Sequence, residues 1–583
     1  STELTEEVRD LLEQLQKQAA SLTVERRGDG FAHSDEKQFT IDPANAEDYR
    51  ALIAELQSHD KIPEKIVPLW PLDSDAKTAR TLGFDSLLFL SQALGAHNVT
   101  AKMSLTVCSH GLHEVTGDET VLPENAMLLG ACTVIAQEYT NIVCRSIDVA
   151  GMEHSAIADR IVAEVLSDAA ELTVAWRGKH RWAQTFEPLR IEQQQAAPAL
   201  LRENGVYLIT GGLGRIGLVF AKYLAEQVKA KLVLTARTAL PERAGWRDWL
   251  EQHDEGDPTS SKIRAIQSLE TVGAEVLPIA ADASDTEQMQ TVFAQAEKQF
   301  GGIDGVIHAA GILDDDAFRP IQEITPADCN RHFAPKIEGL RAVDAAIAER
   351  QLDFCMLVSS ISSVLGGLGF AAYAAANLYM DAFASRKNAS GSFPWLSVNW
   401  DAWQFGEEDA HELALTPDEG AQALHRILCT GSGEQIIVST GDLPARIDQW
   451  VKLESLHTAE KTEQKAQPAA RYARPQLQTD YAAPRNDVEQ SLANLWQELF
   501  GIEQIGIHDN FFDLGGHSLL ATALIGRVRD EFQIVLTLQS FFDHATIAEL
   551  AEQIFDKLVE QEDDDLLNEM LAELEQESGE EIE

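Results

Sequence analysis

Four residues in the second half of the chain combine the side-chain types that reduction of a carbonyl group needs. Tyr373 lies 13 residues after Ser360 and four before Asn377, and Lys336 lies upstream of all three. A hydride that adds to a C=O group leaves an alkoxide, and a tyrosine beside an ammonium group can protonate it. Ser360 would hydrogen-bond the oxygen as charge develops on it, and Lys336 would supply the positive charge. We therefore predict Tyr373 as the acid, with Asn377 holding the lysine or a water that relays the proton.

A glycine-rich turn upstream of this set has the pattern that binds the pyrophosphate of a dinucleotide. It fits G-x-G-x-x-G between the strand-like residues 206–210 and a helix predicted from Leu218 to Gln227. Glycines let the backbone approach a pyrophosphate, and the start of the helix offers free N–H groups and a positive dipole end. The predicted cofactor-binding residues of this turn are Gly211, Gly212, Leu213, Gly214, Ile216 and Gly217.

The residue that follows the next strand predicts the choice of cofactor. Arg237 follows the strand-like residues 231–235, at the position where an acidic residue would hold the ribose 2′-OH of NAD. An arginine matches a 2′-phosphate in charge and in planar hydrogen bonding, which predicts NADPH. Two further strand ends, after residues 276–279 and 306–307, are expected to meet the cofactor. The residues predicted there are Asp282, Ala283, Ala309, Ala310 and Gly311.

The composition is that of a globular protein, and it excludes several classes of function. The 583 residues allow several domains, and the chain is 45% hydrophobic and 24% charged. A net charge of −48 argues against nucleic acid or an anionic membrane as a partner. No membrane-spanning apolar stretch and no signal peptide occurs, and the six cysteines include no C-x-x-C pair. We expect a cytoplasmic protein with reduced thiols and no metal site, excised or processed because it begins at Ser1.

Alternating strand-like and helical segments predict an α/β fold for most of the chain. In the first half no glycine-rich turn follows a strand. This half is therefore predicted to have the layout of a nucleotide-binding fold without the phosphate-binding loop. The predicted divisions are a helix at 1–20, α/β domains at 21–200 and 201–452, a linker at 453–484, a helical domain at 485–558 and an acidic tail at 559–583. The first helix either caps the next domain or docks onto a partner. The apolar stripe of the tail favours a docking or dimerising helix over a disordered tail.

Residues 206–403 resemble the short-chain dehydrogenase/reductase superfamily and, within it, the ketoreductases of modular polyketide synthases. The matching motifs are Gly211-Gly212-Leu213-Gly214-Arg215-Ile216-Gly217, His308-Ala309-Ala310-Gly311, Leu357-Val358-Ser359-Ser360, Tyr373-Ala374-Ala375-Ala376-Asn377 and Val398-Asn399-Trp400-Asp401-Ala402-Trp403. Free reductases commonly place the lysine four residues after the tyrosine. Here Asn377 stands there and Lys336 lies upstream, as in synthase ketoreductases. The resemblance implies two Rossmann-like doubly wound halves, the first a degenerate structural subdomain, which its Gln137-Glu138-Tyr139 stretch supports.

The resemblance also carries a stereochemical pattern. Ketoreductases of the B type have Leu-Asp-Asp after the His-Ala-Ala-Gly segment, and this chain has Leu313-Asp314-Asp315. The A type has Trp eight residues before the catalytic tyrosine, where this chain has Leu365. The resemblance therefore implies a B-type enzyme that gives a D-configured 3-hydroxyl, with Asp315 as the marker. Phe370 stands where the family often has Gln.

Residues 485–558 resemble thiolation (carrier) domains. They contain the string Asp509-Asn510-Phe511-Phe512-Asp513-Leu514-Gly515-Gly516-His517-Ser518-Leu519-Leu520. The resemblance implies a small four-helix bundle with 4′-phosphopantetheine attached covalently to Ser518, which would tether the acyl chain near the reductase. His517 is more typical of peptidyl carriers than of many acyl carriers.

Together these features predict NADPH-dependent reduction of a carrier-tethered 3-ketoacyl thioester to a 3-hydroxyacyl thioester in a polyketide synthase. The implied partners are upstream ketosynthase and acyltransferase domains, a phosphopantetheinyl transferase and, through the tail, a downstream module or thioesterase. One alternative is reduction of an α-ketoacyl chain in a depsipeptide-forming peptide synthetase. The other is a carrier and docking module with an inactive reductase, and the intact set at Lys336, Ser360, Tyr373 and Asn377 argues against it.

Overall fold

The computed structural model contains two α/β units followed by a helical domain. It describes residues 6–18, 21–35, 37–152, 154–167, 171–191, 198–254, 256–312, 314, 317–348, 350–389, 391, 393–406, 413–431, 435–453, 474, 475, 477, 479, 481–514, 518–534, 536, 540, 541 and 544–558. Among these residues, no helix combines the length and the apolar character that crossing a membrane requires.

The first unit places a mostly parallel sheet between helices. Its strands are β1 Val24–Arg27, β2 Ala32–Asp35, β3 Gln38–Ile41, β4 Lys65–Ile66, β5 Met103–Ser109, β6 Ile142–Ala150, β7 Thr173–Arg177 and β8 His180–Ala183. Its α-helices are α1 Glu6–Gln18, α2 Ala46–Ser58, α3 Ser86–Ala96, α4 Pro123–Glu138 and α5 His154–Val165. The main sheet has the order β4-β5-β6-β7-β8 and is parallel up to the antiparallel β7–β8 pair, while β1, β3 and β2 form a small separate sheet.

One predicted strand of this unit is shorter than expected. The apolar run over 66–70 predicts a strand, but β4 ends at Ile66 and a 3-10 helix occupies Trp70–Asp73. Pro68 and Pro71 have no N–H group to donate to a sheet, which explains the early end. The sequence of residues 85–94 predicts a helix, and this helix is present as α3.

The second unit is built on a seven-stranded parallel sheet. Its strands are β9 Val206–Thr210, β10 Lys231–Ala236, β11 Glu275–Ala280, β12 Gly305–His308, β13 Phe354–Ser360, β14 Trp395–Trp400 and β15 Gln435–Ile437. Its α-helices are α6 Arg215–Val228, α7 Trp246–Gln252, α8 Pro258–Thr271, α9 Thr286–Phe300, α10 Pro326–Phe333, α11 Gly339–Ile347, α12 Ser362–Leu365, α13 Ala371–Asn388, α14 Pro417–Thr430 and α15 Leu443–Trp450. The order β11-β10-β9-β12-β13-β14-β15 reverses direction between β9 and β12, the point where dinucleotides bind in such sheets.

One large hydrophobic core cluster contains residues of both α/β units. Helix α4 of the first unit packs along α13 of the second, and a Cβ at Gly130 would lie 2.5 Å from the backbone N of Ala375 and 2.8 Å from its Cα. A contact this close requires glycine on one side and small residues on the other. The first unit therefore fixes the position of α13, which carries Tyr373 and Asn377.

The N-terminal helix α1 lies on the other face of the first unit. Leu11 and Leu15 are buried in a cluster with Ile161 and Val165 of α5, and Gln14 donates a hydrogen bond to Asp159 at 2.8 Å. This packing is the one that a capping helix predicts. The predicted acidic tail at 559–583 and most of the predicted linker at 453–484 lie outside the described residues.

The third domain is helical. Its described helices are Asp487–Phe500, Ser518–Phe532 and 547–558, and residues 540 and 541 are also helical. They enclose a separate apolar core that includes Trp496, Phe511, Leu524 and Val528. Phe511 belongs to the string that was matched to carrier domains, so one of its two phenylalanines serves the core.

Candidate active site

The glycine-rich turn connects β9 to α6 and is shaped by close backbone contacts. Gly211 has a φ of 66°, which favours glycine, and a Cβ there would lie 2.9 Å from the carbonyl oxygen of Ala309. A Cβ at Gly217 would lie 2.6 Å from the carbonyl oxygen of Gly211. Side chains are thus excluded from a turn that ends at the N-terminus of α6, where free N–H groups attract an anion.

The other residues predicted to meet a cofactor lie at the carboxyl ends of neighbouring strands. Arg237 directly follows β10, is exposed and forms no ion pair with any described residue. Asp282 follows β11, and its carboxylate accepts hydrogen bonds from the N–H and Oγ of Ser284, at 2.9 and 2.7 Å. The remaining residues of this set, at the same edge of the sheet, are Leu213, Gly214, Ile216, Ala283, Ala309, Ala310 and Gly311.

The structure brings the four predicted catalytic residues together. Ser360 ends β13, Tyr373 and Asn377 lie one turn apart on α13, and Lys336 lies in the π-helical turn Ala334–Glu338. Tyr373 is 9% exposed, and this burial raises the pKa of its hydroxyl. Hydrogen bonds with the side chains of Ser360 and Asn377 act in the opposite direction.

Lys336 is buried beside the tyrosine. Its Nζ donates to the carbonyl oxygen of Val358 at 3.0 Å and lies 5.5 Å from the centroid of the Tyr373 ring. Burial lowers the pKa of Lys336 to about 8, against an opposing attraction from Asp381. The lysine can therefore lose its proton within the pH range in which enzymes usually operate. The Oδ1 atom of Asn377 is buried and has no hydrogen-bond partner, although its Nδ2 donates to the carbonyl of Tyr373 at 2.8 Å.

A buried polar network supports this set from behind, and its role was not predicted from the sequence. Asp381 accepts hydrogen bonds from Ser397 at 2.5 Å and from Asn399 at 2.7 Å. Asn399 also donates to the carbonyl oxygen of Ser360 at 3.2 Å. The network therefore fixes the end of β13 relative to α13. The motif containing Asn399 was recognised from the sequence, but these contacts were not.

Aromatic rings enclose the tyrosine on its other sides. Phe318, His332 and Phe370 have centroids 5.5, 5.6 and 5.6 Å from that of Tyr373, all in edge-to-face contact. Burial lowers the pKa of His332, and its Nε2 pairs with the carbonyl oxygen of Ala317 at 2.8 Å. Phe370, which departs from the family pattern, is thus part of the wall around the tyrosine.

Two residues of the first unit hold the loop between Ser360 and Tyr373. The Oε1 atom of Gln137 accepts from the N–H of Gly367 at 2.9 Å. Glu138 accepts from the N–H of Gly369 at 2.8 Å and from that of Ile321 at 2.6 Å. Both side chains come from the end of α4, so the first unit completes the surroundings of the site.

Asp315 and Ser518 are the two remaining predicted site residues. Asp315, the stereochemical marker, lies outside the described residues. Ser518 is the first residue of the helix Ser518–Phe532. Over the described parts of the chain, no group of three or more His, Cys, Asp or Glu side chains is arranged to hold a metal ion.

Three family models match successive parts of the chain. One described as KR domain matches residues 205–405, and one described as phosphopantetheine attachment site matches residues 490–554. The chain carries a ketoreductase domain and a carrier domain. A third, described as beta-ketoacyl synthase-like, N-terminal, matches residues 3–168 of the first unit. The ketoreductase domain implies a nicotinamide cofactor, and the carrier domain a covalent phosphopantetheine.

Curated relatives of the chain include polyketide synthases. Polyketide synthase PksM of Bacillus subtilis (strain 168) is 27% identical over 400 residues, which cover 66% of this chain and 9% of that protein. The 6-methylsalicylic acid synthase of Aspergillus terreus is 36% identical over 206 residues, which cover 35% of this chain and 11% of that protein. The chain thus spans about a tenth of the length of these two relatives.

Solved ketoreductases share the fold of both α/β units. A crystal structure of an N-terminal ketoreductase from the macrolactin assembly line has a TM-score of 0.63 and 26% identity, covering 77% of this chain and 87% of that chain. The second unit alone makes up less than half of the chain, so this likeness extends over the first unit as well. The predicted Rossmann-like fold and the prediction of a ketoreductase followed by a carrier domain are confirmed.

Proposed function

We propose that the ketoreductase domain uses NADPH to reduce a 3-ketoacyl thioester carried on Ser518, giving a 3-hydroxyacyl thioester within a polyketide synthase. The observation that carries the proposal is the grouping of Ser360, Tyr373, Asn377 and Lys336 at the carboxyl edge of a sheet whose glycine-rich turn fits a pyrophosphate. This edge is where the hydride donor and the ketone would meet.

In the proposed reaction Tyr373 gives its proton to the developing alkoxide. Ser360, at the end of β13, would hydrogen-bond the same oxygen and fix its direction. Lys336 would stabilise the tyrosinate left behind, because its ammonium group lies against the Tyr373 ring. The unpaired Oδ1 of Asn377 is suited to accept a hydrogen bond from a water that returns the proton.

The edge of the sheet also fits the phosphates of NADPH. Gly211, Gly212 and Gly217 stand where side chains would collide with the backbone, which leaves the amides at the start of α6 accessible. Arg237 is exposed at the end of β10 and could pair with a 2′-phosphate. When bound there, the nicotinamide supplies the hydride. Asp282 and Ala283 would border the adenine, and Ala309, Ala310 and Gly311 would let the cofactor pass.

We infer that residues 21–200 are a structural subdomain and not a condensing site, although part of them matches a ketosynthase-like model. A condensing enzyme with a thiol nucleophile needs a reactive thiolate. The first unit holds Cys108, Cys132 and Cys144, all buried, and burial raises the pKa of Cys108 and of Cys144. Such thiols behave as apolar core residues.

The finer assignments also belong to this proposal. We propose boundaries at 201–452 for the catalytic subdomain, 453–484 for the linker and 485–558 for the carrier, and a cytoplasmic location. Ketosynthase and acyltransferase domains would supply the acyl chain, and a phosphopantetheinyl transferase would modify Ser518. The Leu313-Asp314-Asp315 segment supports a D-configured product, and an L-alcohol on chiral analysis would contradict that assignment.

The test is to load Ser518 with a 3-ketoacyl phosphopantetheine arm and to follow the intact mass of the chain with NADPH. A gain of two hydrogens is expected in the wild type. Tyr373→Phe should abolish the gain while leaving loading unchanged, because only the proton donor is lost. A 2-ketoacyl arm that is reduced faster than the 3-ketoacyl arm would favour the depsipeptide alternative. Equal mass gain in Tyr373→Phe would refute the catalytic assignment.

A further inference from the structure

The carrier domain lies against a seam between the two α/β units, through the helix that begins at Ser518. The Nη1 atom of Arg529 donates to Thr140 Oγ1 at 3.0 Å, and Thr100 Oγ1 donates to the Oε1 atom of Gln533 at 3.2 Å. Arg529 is only 5% exposed, so a long basic side chain is buried where it contacts Thr140. Covered arginines of this kind commonly dominate the strength of an interface.

The same contact reaches the loop that precedes the catalytic tyrosine. Leu368 lies in the loop between Ser360 and Tyr373 and packs against the apolar core cluster of the carrier domain. The residues on either side of Leu368 are glycines, and their N–H groups donate hydrogen bonds to Gln137 and Glu138. The loop therefore has the first unit on one side and the carrier on the other.

We propose that Thr100, Thr140 and Leu368 form the docking surface on which the carrier domain of this chain sits during reduction. The inference rests on the proposed function, and it adds the place where the carrier binds. A Cβ at Gly526 would be 3.8 Å from Thr140 Oγ1, so the contact begins about 12 Å along the helix from Ser518 and extends to Arg529. The docked helix thus contacts the ketoreductase away from the residue that would bear the arm.

The chemistry of the seam explains why docking would be specific without a large charged surface. Two threonine hydroxyl groups of the ketoreductase form hydrogen bonds with one arginine and one glutamine of the carrier. Leu368 supplies an apolar contact in the same patch. Since Leu368 belongs to the loop before Tyr373, a seated carrier would also restrict the motion of that loop.

The test uses two full-length chains, so that docking becomes intermolecular and depends on concentration. One chain carries Tyr373→Phe, Thr140→Ala and a 3-ketoacyl arm on Ser518, and the other carries Ser518→Ala and Arg529→Ala and provides the active reductase. The added Thr140→Ala and Arg529→Ala substitutions weaken the contact of each carrier with the reductase of its own chain, so that the contact between the two chains is the one measured. The rate of reduction of the loaded chain is measured by intact mass at several concentrations of the second chain. Removing the tether matters because a high effective concentration hides a weakened interface.

On the loaded chain, Arg529→Ala is compared with the matched control Arg527→Ala. Arg527 lies on the same helix and pairs with Glu498 inside the carrier at 3.4 Å. We expect Arg529→Ala to lower the second-order rate constant about tenfold, while Arg527→Ala changes it by less than about twofold. Loading by the phosphopantetheinyl transferase checks that each carrier is folded.

A second variant isolates the hydrogen bond itself. Thr140→Ala on the reductase chain should lower the rate, and its effect should largely vanish when the loaded chain already carries Arg529→Ala. Equal rates for wild type and Arg529→Ala, or fully additive losses, would overturn the docking surface. A reductase chain that fails to reduce a free 3-ketoacyl thioester would instead refute the proposed function.

Discussion

Each α/β unit has its own sheet, and the two units use the carboxyl ends of their parallel strands in opposite ways. In the second unit, glycines after β9 keep side chains away from the backbone and leave its amides to an external anion. In the first unit, the backbone N–H groups that follow β5 donate hydrogen bonds to a carboxylate of the chain itself. Asp148, on β6, accepts from the N–H groups of Leu112 and His113 at 3.1 and 3.2 Å.

A second carboxylate completes the closure of the first edge. Glu119 accepts from the N–H groups of Thr116 and Gly117 at 3.0 Å each, and Arg177 pairs with both Glu119 and Asp148 at 2.7 Å. Burial alone would raise the pKa of Glu119, but these hydrogen bonds lower it to about 2. A cavity of about 730 Å³ remains there, and its lining includes Asp118, Glu119 and Arg177. The comparison teaches that the same layered plan can leave its backbone amides accessible or hydrogen-bond them with carboxylates of its own chain.

The largest effect expected from breaking this comparison is on stability. Arg177→Met leaves Asp148 and Glu119 as buried, unpaired carboxylates, which should destabilise the chain by about 3–5 kcal/mol. Urea unfolding measures the loss, and Arg247→Ala, which breaks an exposed pair with Glu251, should cost less than about 1 kcal/mol. NADPH affinity should be unchanged in Arg177→Met if the first edge is structural. Weaker NADPH binding with intact stability would contradict that view.

Glu138 extends the comparison, because here a carboxylate of the first unit holds amides of the second. Burial raises its pKa to about 7, above the ordinary 4.5. The folded state therefore binds this proton more tightly, and the resulting stability is present below pH 4.5 and lost as the pH rises through about 7. Relative to Glu138→Gln, the wild type should lose about 3 kcal/mol across that range. Parallel pH profiles for the two proteins, in urea unfolding, would contradict this expectation.

The glycine-rich turn provides the corresponding test in the second unit. Gly217→Ala places a Cβ 2.6 Å from the Gly211 carbonyl oxygen. The turn must therefore shift, and its N–H groups no longer point towards the expected position of the phosphates. NADPH affinity, followed by quenching of tryptophan fluorescence, should fall about a hundredfold, which is close to 2.7 kcal/mol. The control is Gly245→Ala, where the added Cβ meets no atom within 4 Å. Tight binding by the Gly217 variant would mean that the phosphates lie elsewhere.

The smallest effect concerns the choice between the two nicotinamide cofactors. Arg237→Leu removes an exposed cation at the end of β10 without disturbing any ion pair among the described residues. We expect NADPH binding to weaken about tenfold while NADH binding stays the same, because only NADPH carries a 2′-phosphate. NADH thus serves as the internal control, and equal losses for both cofactors would count against Arg237 as the selecting residue.

Local patterns predicted the second unit well. The strand before the glycine-rich turn, the helix after it and the Ser360–Tyr373–Asn377 spacing are all adjacent in the sequence, and each depends on contacts that span few residues. Lys336 was predicted from the chemistry it could supply and from the resemblance, because its distance from Tyr373 along the chain carries no periodic signal. The structure places its Nζ over the tyrosine ring.

Long-range contacts could not be predicted from those patterns. Glu138 and Gly369 are 231 residues apart, and a glutamate at the end of a helix usually faces water. The aromatic wall around Tyr373 draws Phe318 and His332 from separate segments. The packing of α4 on α13 brings Glu138 to the site, and the packing of α10 on α13 brings His332, and no spacing rule encodes either contact.

The contact of Gly130 with Ala375 makes the catalytic geometry adjustable from a distance. Residue 130 touches neither substrate nor cofactor, yet its volume sets how closely the helix bearing Tyr373 lies to the first unit. An added methyl group there would push that helix sideways and alter the gap between tyrosine and serine. A single small side chain in a supporting domain thus acts as a spacer, through which natural variation could retune the reductase while every reacting group stays unchanged.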